Sequence, residues 1–383
     1  MTLDTSRASA VAPNEPMEEI VETAIAPLSV RQLMWHKFKR NRLAAIGAIL
    51  LIIIYSMAAF AGFLSPYALA HTHDAFAGVG PNSFHIFDKQ GNAHWPPFVY
   101  GFKATLDPKT YKRTFTINEE EKFPVRFLAK GDSYTLILWK TDVHLFVVDS
   151  PAVVFLAGTD PLGRDYFTRI LYGGQVSLTI GLVGVFLSLV IGSLMGVAAG
   201  YFGGIFDNIM MRLVEVLMAF PRIPLWMALA GALPANIEPL KVYFGITLVL
   251  SIVNWGGLAR QVRSKVLALR ELDYVMAARL GNASTFRILA RHLFPNTLSH
   301  VIVVATLAIP GMILGETALS FLGLGIRPPM TSWGLLLSDA QQLQVLVQKP
   351  WLLWPIVPVM ITAISFNLVG DGLRDAADPF ASE

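Results

Sequence analysis

Residues 177–206 read SLTIGLVGVFLSLVIGSLMGVAAGYFGGIF. No Asp, Glu, Lys or Arg interrupts the run, and Leu, Val, Ile and Gly dominate it. A helix of this length crosses the roughly 30 Å hydrocarbon layer of a bilayer. Five further stretches read the same way. Leu43–Phe63 is uncharged, and Leu213–Asn236 carries only Glu215 and Arg222. Val242–Leu258 ends at Gly256-Gly257, just before a basic loop. Leu298–Leu324 is interrupted only by His300 and Glu316, and Trp351–Gly370 completes the set. Six spans predict an all-α polytopic membrane protein.

The composition agrees. Charged residues make up 15% of the 383-residue chain, against about 25% in soluble domains. Mean hydropathy is +0.53. These values speak against two or three soluble domains. Cysteine is absent, which excludes disulfide scaffolds, thiolate metal sites and cysteine nucleophiles. A net charge of +3 is too mild to indicate nucleic acid.

The Lys and Arg of short loops set orientation. Arg31, Lys37, Lys39, Arg40 and Arg42 precede the first span, and Arg260, Arg263, Lys265, Arg270, Arg279, Arg287 and Arg291 fill the 259–297 loop. The opposite short loops hold only Lys241, Arg327 and Lys349. Both termini and the 259–297 loop are therefore expected in the cytoplasm. The first span reads as a retained anchor, because its apolar run exceeds the ~7–15 residues of a signal-peptide core.

Between the first two spans, residues 64–157 form a hydrophilic block too long for an unstructured connection. Turn signals at Lys89-Gln90-Gly91-Asn92 and Lys130-Gly131-Asp132 predict a small β-rich insertion, with a hairpin at the second turn. Glu119-Glu120-Glu121 reads as a solvated acidic patch. His71, His73 and His85 lie near Asp74 and Asp88 without metal-ligand spacing, so no metal is expected. At the end of the block, Asp160 is placed to cap an amphipathic interfacial helix through Tyr166, Phe167, Ile170 and Leu171.

The 259–297 loop is the most informative hydrophilic part. Tyr274–Leu280 is a good helix former, Gly281-Asn282 a break, and Ser284 a cap for a second helix carrying Ile288, Leu289, His292 and Leu293 on one face. Pro295-Asn296 is expected to stop that helix. The pattern fits either an ordinary basic loop or a helix–break–helix that docks in a groove of a cytoplasmic partner.

This loop resembles the coupling motif of binding-protein-dependent ABC importer permeases, Glu-Ala-Ala-x3-Gly-x9-Ile-x-Leu-Pro. With Pro295 set on the motif's proline, Ala277 and Ala278 take the alanine positions. Three more stretches resemble the dipeptide/oligopeptide/nickel-type subfamily. They are Thr159-Asp160-Pro161-Leu162-Gly163-Arg164-Asp165 through Arg169 and Tyr172-Gly173, Glu316 through Ser320-Phe321-Leu322-Gly323 to Trp333-Gly334, and Phe366-Asn367-Leu368-Val369-Gly370-Asp371-Gly372 through Asp378-Pro379. Two positions depart: Met276 stands where the motif has Glu, and Asn282 stands at its glycine, with Gly281 one place earlier.

The resemblance implies a type I importer permease fold. A cytoplasmic segment 1–42 and helix 43–63 precede a periplasmic insertion 64–157. A permease core 158–376 and a cytoplasmic tail 377–383 follow. It implies a bacterial inner-membrane location and four kinds of partner: lipid, a homologous second permease in a heterodimer, two ATP-binding subunits and a periplasmic solute-binding protein. Di- or oligopeptides are the implied cargo, with an oligosaccharide or a nickel chelate as alternatives. The chain has no Gly-Lys dipeptide and hence no phosphate loop. ATP and Mg²⁺ therefore belong to the ATPase subunits, and this chain is expected to bind no cofactor and to be no enzyme.

The implied coupling residues are Tyr274, Met276, Ala277, Ala278, Arg279, Gly281, Asn282, His292 and Pro295. Asp160, Gly163, Arg164 and Asp165 form the outer interfacial motif. Glu316, Arg212 and Glu215 are the polar candidates for the pore or for helix packing. An ion-coupled secondary transporter would instead show inverted repeats and several mid-membrane charges, and no repeat is visible. A membrane enzyme is disfavoured by the lack of His-Glu-x-x-His and Gly-x-Ser-x-Gly.

Overall fold

The computed structural model describes residues 30–106, 108, 113–136, 139–234 and 236–377. Helix α1 (Val30–Arg40) turns at Asn41 into α2 (Arg42–Ala59). Asn41 Oδ1 caps α2 by accepting from Ala44 N at 3.1 Å. Helix α2 packs on the last helix, α13 (Ile356–Ala377). A Cβ on Gly47 would lie 2.8 Å from Ser365 O, so small residues set that approach. A short α3 (Ala61–Leu64) leads to the sheet.

Helix α4 (Tyr166–Phe202) is 37 residues long, about 55 Å at 1.5 Å per residue. The amphipathic segment expected to lie apart along the interface is the first two turns of this same helix. Gly173-Gly174 lies between Leu171 and Ser177 but stays helical, with Trp333 packed across both glycines. Its N-cap is Asp165, not Asp160. Along α4, a Cβ on Gly192 or Gly196 would sit 2.8 or 2.6 Å from the carbonyl oxygens of Trp255 and Ala259. The glycines thus let α4 lie directly on the backbone of α7 (Pro239–Leu269).

The third span is not one straight helix. Helix α5 (Gly204–Ala219) and α6 (Arg222–Gly231) meet at 92°. Pro221 fixes its own backbone angle and pushes Phe220 into extended conformation (ψ 140°). Gly256-Gly257 does not end the fourth span, which runs on to Leu269. Gly256 stays helical because Val214 of α5 packs against it. Beyond α7 come α8 (Asp273–Leu280), α9 (Thr285–Arg287), a π-helical turn (Ile288–Leu293) and α10 (Phe294–Phe321). Pro295 does not stop the helix. It lies at the start of α10, directly after the π-helical turn Ile288–Leu293, where the changed hydrogen-bond pattern takes up a residue that cannot donate, and helical structure is continuous from Thr285 to Phe321. Pro310 lies inside α10. Short α11 (Trp333–Ser338) and α12 (Leu343–Gln348) lead into α13. Among the described residues five helices are therefore long and apolar enough to span a membrane, or six with the bent α5–α6 pair taken as one span. The main core joins Leu178, Ile246, Leu250, Ile313 and Trp333.

The insertion is a four-stranded antiparallel sheet, β1 (His85–Phe87), β2 (Ala93–Leu106), β3 (Arg113–Leu136) and β4 (Trp139–Val148), in sequence order. The first turn forms as expected, with Gly91 at φ +84° and Asp88 Oδ1 accepting from the N–H groups of Gln90 and Asn92. The second does not. Residues 130–132 are an irregularity inside β3, and Leu136 already faces Trp139 across the sheet. Asp132 is drawn out of the ladder to accept from Ala68 N (2.9 Å) and to meet His71 Nδ1 (2.6 Å). Glu119, Glu120 and Glu121 are exposed on β3. The carboxylate of Asp88 pairs with Lys122 and His94. Among the described residues no three His, Asp or Glu side chains gather as metal ligands do.

Candidate functional site

Three polar groupings come out of this fold. The first is the loop at the end of the bundle opposite the sheet. Val275 of α8 is fully buried in an apolar cluster with Val197, Val262, Val266, Ile288 and Leu293, and Ala278 packs against it. This seats α8 on the π-helical turn and joins it to the core of α4, α7 and α10. Asn282 adopts φ +55° while Gly281 sits at φ −76°. The left-handed turn thus falls on the asparagine, which tolerates it better than most side chains. Ser284 caps α9 by accepting from Arg287 N at 3.4 Å. The guanidinium of Arg279 lies 5.1 Å over the Tyr201 ring. Asn296 donates to His292 O (2.6 Å) and Tyr274 OH (3.3 Å), so Tyr274 and His292 brace the loop's base.

The opposite face of α8 is open. Leu280 is 88% exposed and Phe286, just past the break, 80%. Tyr274, Met276 and Leu272 are exposed beside them. Leu280 and Phe286 were not among the expected site residues. Their signal was two large apolar side chains flanking a turn in a basic loop. Met276 is exposed on this open face and has no carboxylate to offer there.

The second grouping lies at the sheet end. Asp160 is fully buried. Its Oδ1 accepts from Leu162 N (2.8 Å) and Arg164 N (3.0 Å), and its Oδ2 accepts from Arg164 Nε (2.6 Å) and from Arg169 Nη1. Arg169, also buried, reaches Asp339 at 3.7 Å. Gly163 closes the turn at φ +73°, where a Cβ would strike His73 O at 2.4 Å. Asp165 caps α4 through Thr168 N (2.8 Å) and Thr168 Oγ1 (2.6 Å), and burial pushes its carboxyl up to about 7. Tyr166 OH donates to Leu336 O or Leu352 O, and Trp351 Nε1 to Thr159 O. This motif therefore ties the start of α4 to the segment joining α10 and α13. Arg169 is the buried partner that the sequence-based site set did not include.

The third is Glu316 on α10, fully buried. Its two carboxylate oxygens accept from Ser177 Oγ (2.8 Å) and Ser320 Oγ (2.6 Å). Ser177 Oγ in turn accepts from Trp333 N (3.1 Å), and Ser320 Oγ from Ile326 N (3.0 Å). Glu316 is thus the hub that joins α4, α10 and the start of α11, and its bonds are inside the protein. Arg212 and Glu215 pair at 3.1 Å on the exposed side of α5.

Long apolar helices, one of them broken, with a clamped helix–turn–helix that presents apolar side chains outward, define a multi-pass membrane permease built to engage another protein. The chain belongs to the family of binding-protein-dependent transport system inner membrane components, whose profile matches residues 156–383. A second profile, the N-terminal TM domain of oligopeptide transport permease C, matches residues 29–81. The sheet lies between the two matched regions. The dipeptide transport system permease protein DppC of Bacillus subtilis is 31% identical over 354 residues, 92% of this chain and 86% of its own length. The oligopeptide transport system permease protein OppC of Haemophilus influenzae is 43% identical over 224 residues, 58% of this chain and 69% of its own. The glutathione transport system permease protein GsiD of Pectobacterium atrosepticum is 37% identical over 231 residues, 60% of this chain and 74% of its own. As a member of this family the chain is a transmembrane permease subunit of the inner membrane that works with a solute-binding protein and an ATPase.

Proposed function

We propose that the chain is one of two homologous permease subunits of an ATP-driven importer that takes up di- and oligopeptides delivered by a periplasmic binding protein. The relatives' names, which specify dipeptides, oligopeptides and glutathione, support the peptide class. The distribution of Lys and Arg supports cytoplasmic termini and a cytoplasmic 259–297 loop, which puts the sheet in the periplasm. ATP and Mg²⁺ bind the two partner ATPase subunits.

The observation that carries the coupling role is the two-sided α8–α9 loop. One side is locked by Val275 and Ile288 into the bundle, and the other offers Leu280 and Phe286. Closure of an ATPase dimer on this face moves α8 as a lever. Because α8 packs on the π-helical turn and shares one apolar cluster with α4 and α7, the displacement passes to the spans and rocks them between two states. The carboxylate that the motif has at position 276 is replaced by a thioether, so docking rests on apolar contact and on Arg279. The Asp160–Arg169 knot and the Glu316 hub hold the periplasmic half rigid enough for the motion to pass as a unit.

The test is reconstitution of the four-component complex in liposomes with the binding protein outside. Radiolabelled dipeptide should accumulate only with internal ATP, and deletion of 275–295 should abolish both uptake and recovery of the ATPase with the permease. Recovery of the ATPase with the deleted chain would overturn the assignment.

A further inference from the structure

Arg222 is the first residue of α6, directly after the 92° break in the third span. It lines a cleft of about 250 Å³ whose walls come from α4, α6, α7 and α10. Ser188, Asn254 and Gln261 line the cleft with it, among apolar residues that include Trp226 and Met312. The depth follows from α7. Its uncharged stretch lies between Lys241 and Arg260, and Asn254 is six residues before Arg260, about 9 Å along the axis. Arg222 is exposed in this single subunit, and it opens onto a cleft that runs from Asn254 to Gln261, at the end of the apolar stretch of α7, where a cation marks a pathway or a partner.

Among the described residues nothing pairs with it. Glu215, the nearest acid in sequence, is engaged by Arg212. Asn254 spends one N–H on the sulfur of Met312 at 3.2 Å, and its carbonyl oxygen remains free for a ligand's N–H. The first turn of α6 has no side-chain cap, so its backbone N–H groups add positive potential at the same place. A planar fork of donors beside amide groups, in a cleft with apolar walls, matches a carboxylate.

We propose that Arg222 binds the C-terminal carboxylate of the peptide as it crosses this cleft, which makes it a determinant of what the permease passes. The assignment rests on the peptide-importer reading. Every peptide carries that carboxylate whatever its side chains, so one arginine serves a broad range of sequences, while Asn254 and Gln261 offer amides to the last peptide bonds.

The experiment compares ATP-dependent uptake of a tripeptide and of its C-terminal amide by the reconstituted complex, wild type against Arg222→Gln and Arg222→Lys. The unaltered binding protein delivers both cargoes, so its own preference cancels between permease variants. In wild type the free acid outruns the amide. In Arg222→Gln the acid-to-amide ratio falls about 10- to 100-fold, the range of a hydrogen-bonded charge. Arg222→Lys keeps the charge without the fork and falls part-way. An unchanged ratio overturns the proposal, as does equal slowing of both cargoes, which would instead indicate pairing with an acid of the second permease. If wild type takes up neither cargo, the peptide reading itself fails.

Discussion

Replacing Asp160 with Asn separates a buried charge knot from an ordinary turn. The carboxylate is fully buried and takes two backbone N–H groups and two guanidinium groups. Asparagine keeps one acceptor for the backbone donors but turns its amide towards Arg169, whose side chain is itself buried. Breaking a buried pair from one side costs about 3–5 kcal/mol, because the remaining charge has lost its partner. At about 2 °C per kcal/mol, the low end for domains smaller than this chain, the unfolding midpoint drops by roughly 6–10 °C. Asp339→Asn is the control. Its carboxylate is 3.7 Å from Arg169 and partly exposed, so its loss costs about 1 kcal/mol or less. Tryptophan fluorescence of the protein in nanodiscs, scanned at one rate, reads both, and Trp351 is a local reporter because its Nε1 donates to Thr159 O. Equal midpoints for the two variants would refute the reasoning.

Four further outcomes follow from the geometry. Gly163→Ala places a Cβ 2.4 Å from His73 O at φ +73° and should destabilise the protein by about 1–3 kcal/mol, read by the same thermal scan. Asn282→Gly should preserve peptide-stimulated ATP hydrolysis by the complex, whereas Asn282→Val, forced to φ +55° at a cost of about 1–2 kcal/mol, should lower it. Glu316→Ala leaves the hydroxyls of Ser177 and Ser320 without their acceptor and should cost about 1–3 kcal/mol, more than Glu316→Gln, which keeps one carbonyl oxygen; equal losses would exclude the hub role. The fourth concerns pH. Burial holds the carboxyl of Asp165 up to about 7, against about 3.9 in the unfolded chain. The folded state then keeps a proton that the unfolded state releases. That contribution to stability is full below about pH 4 and is lost as pH rises through about 7. The midpoint should therefore be lower at about pH 8 than at about pH 5.5, and Asp165→Asn should remove that difference.

The spans were legible because hydrocarbon imposes one demand, a long uncharged helix, and the sequence states it openly. What was not legible came from contacts between segments far apart in the chain. Gly256-Gly257 looks like a helix end in isolation, but Val214 of α5 fills the space over Gly256 and α7 runs on. Lys130-Gly131-Asp132 has turn composition, yet Asp132 bonds to the connector at Ala68 and His71, and the strand runs on. Asp160 and Asp165 both suit a helix cap by type and place. Only the position of Arg169, a buried cation in the first turns of α4, assigns Asp160 to the ion pair and leaves the cap to Asp165. In the docking loop the break at Gly281-Asn282 and the cap at Ser284 were readable, because both rest on local backbone chemistry. Which face of the loop points outward was not, since that depends on how Val275 and Ile288 meet α4 and α7.

The most direct measurement is the affinity of the permease for its ATPase with the two outward side chains reversed in polarity. Burial of Leu280 and of Phe286 should contribute about 1.5–3 kcal/mol each. The double variant Leu280→Asp/Phe286→Asp should therefore weaken binding in detergent by roughly 100-fold or more. Ile117→Asp on the exposed sheet serves as the control and should leave binding as it is. If the double variant holds the ATPase as tightly as wild type, the α8–α9 loop is not the docking surface and the lever mechanism falls with it.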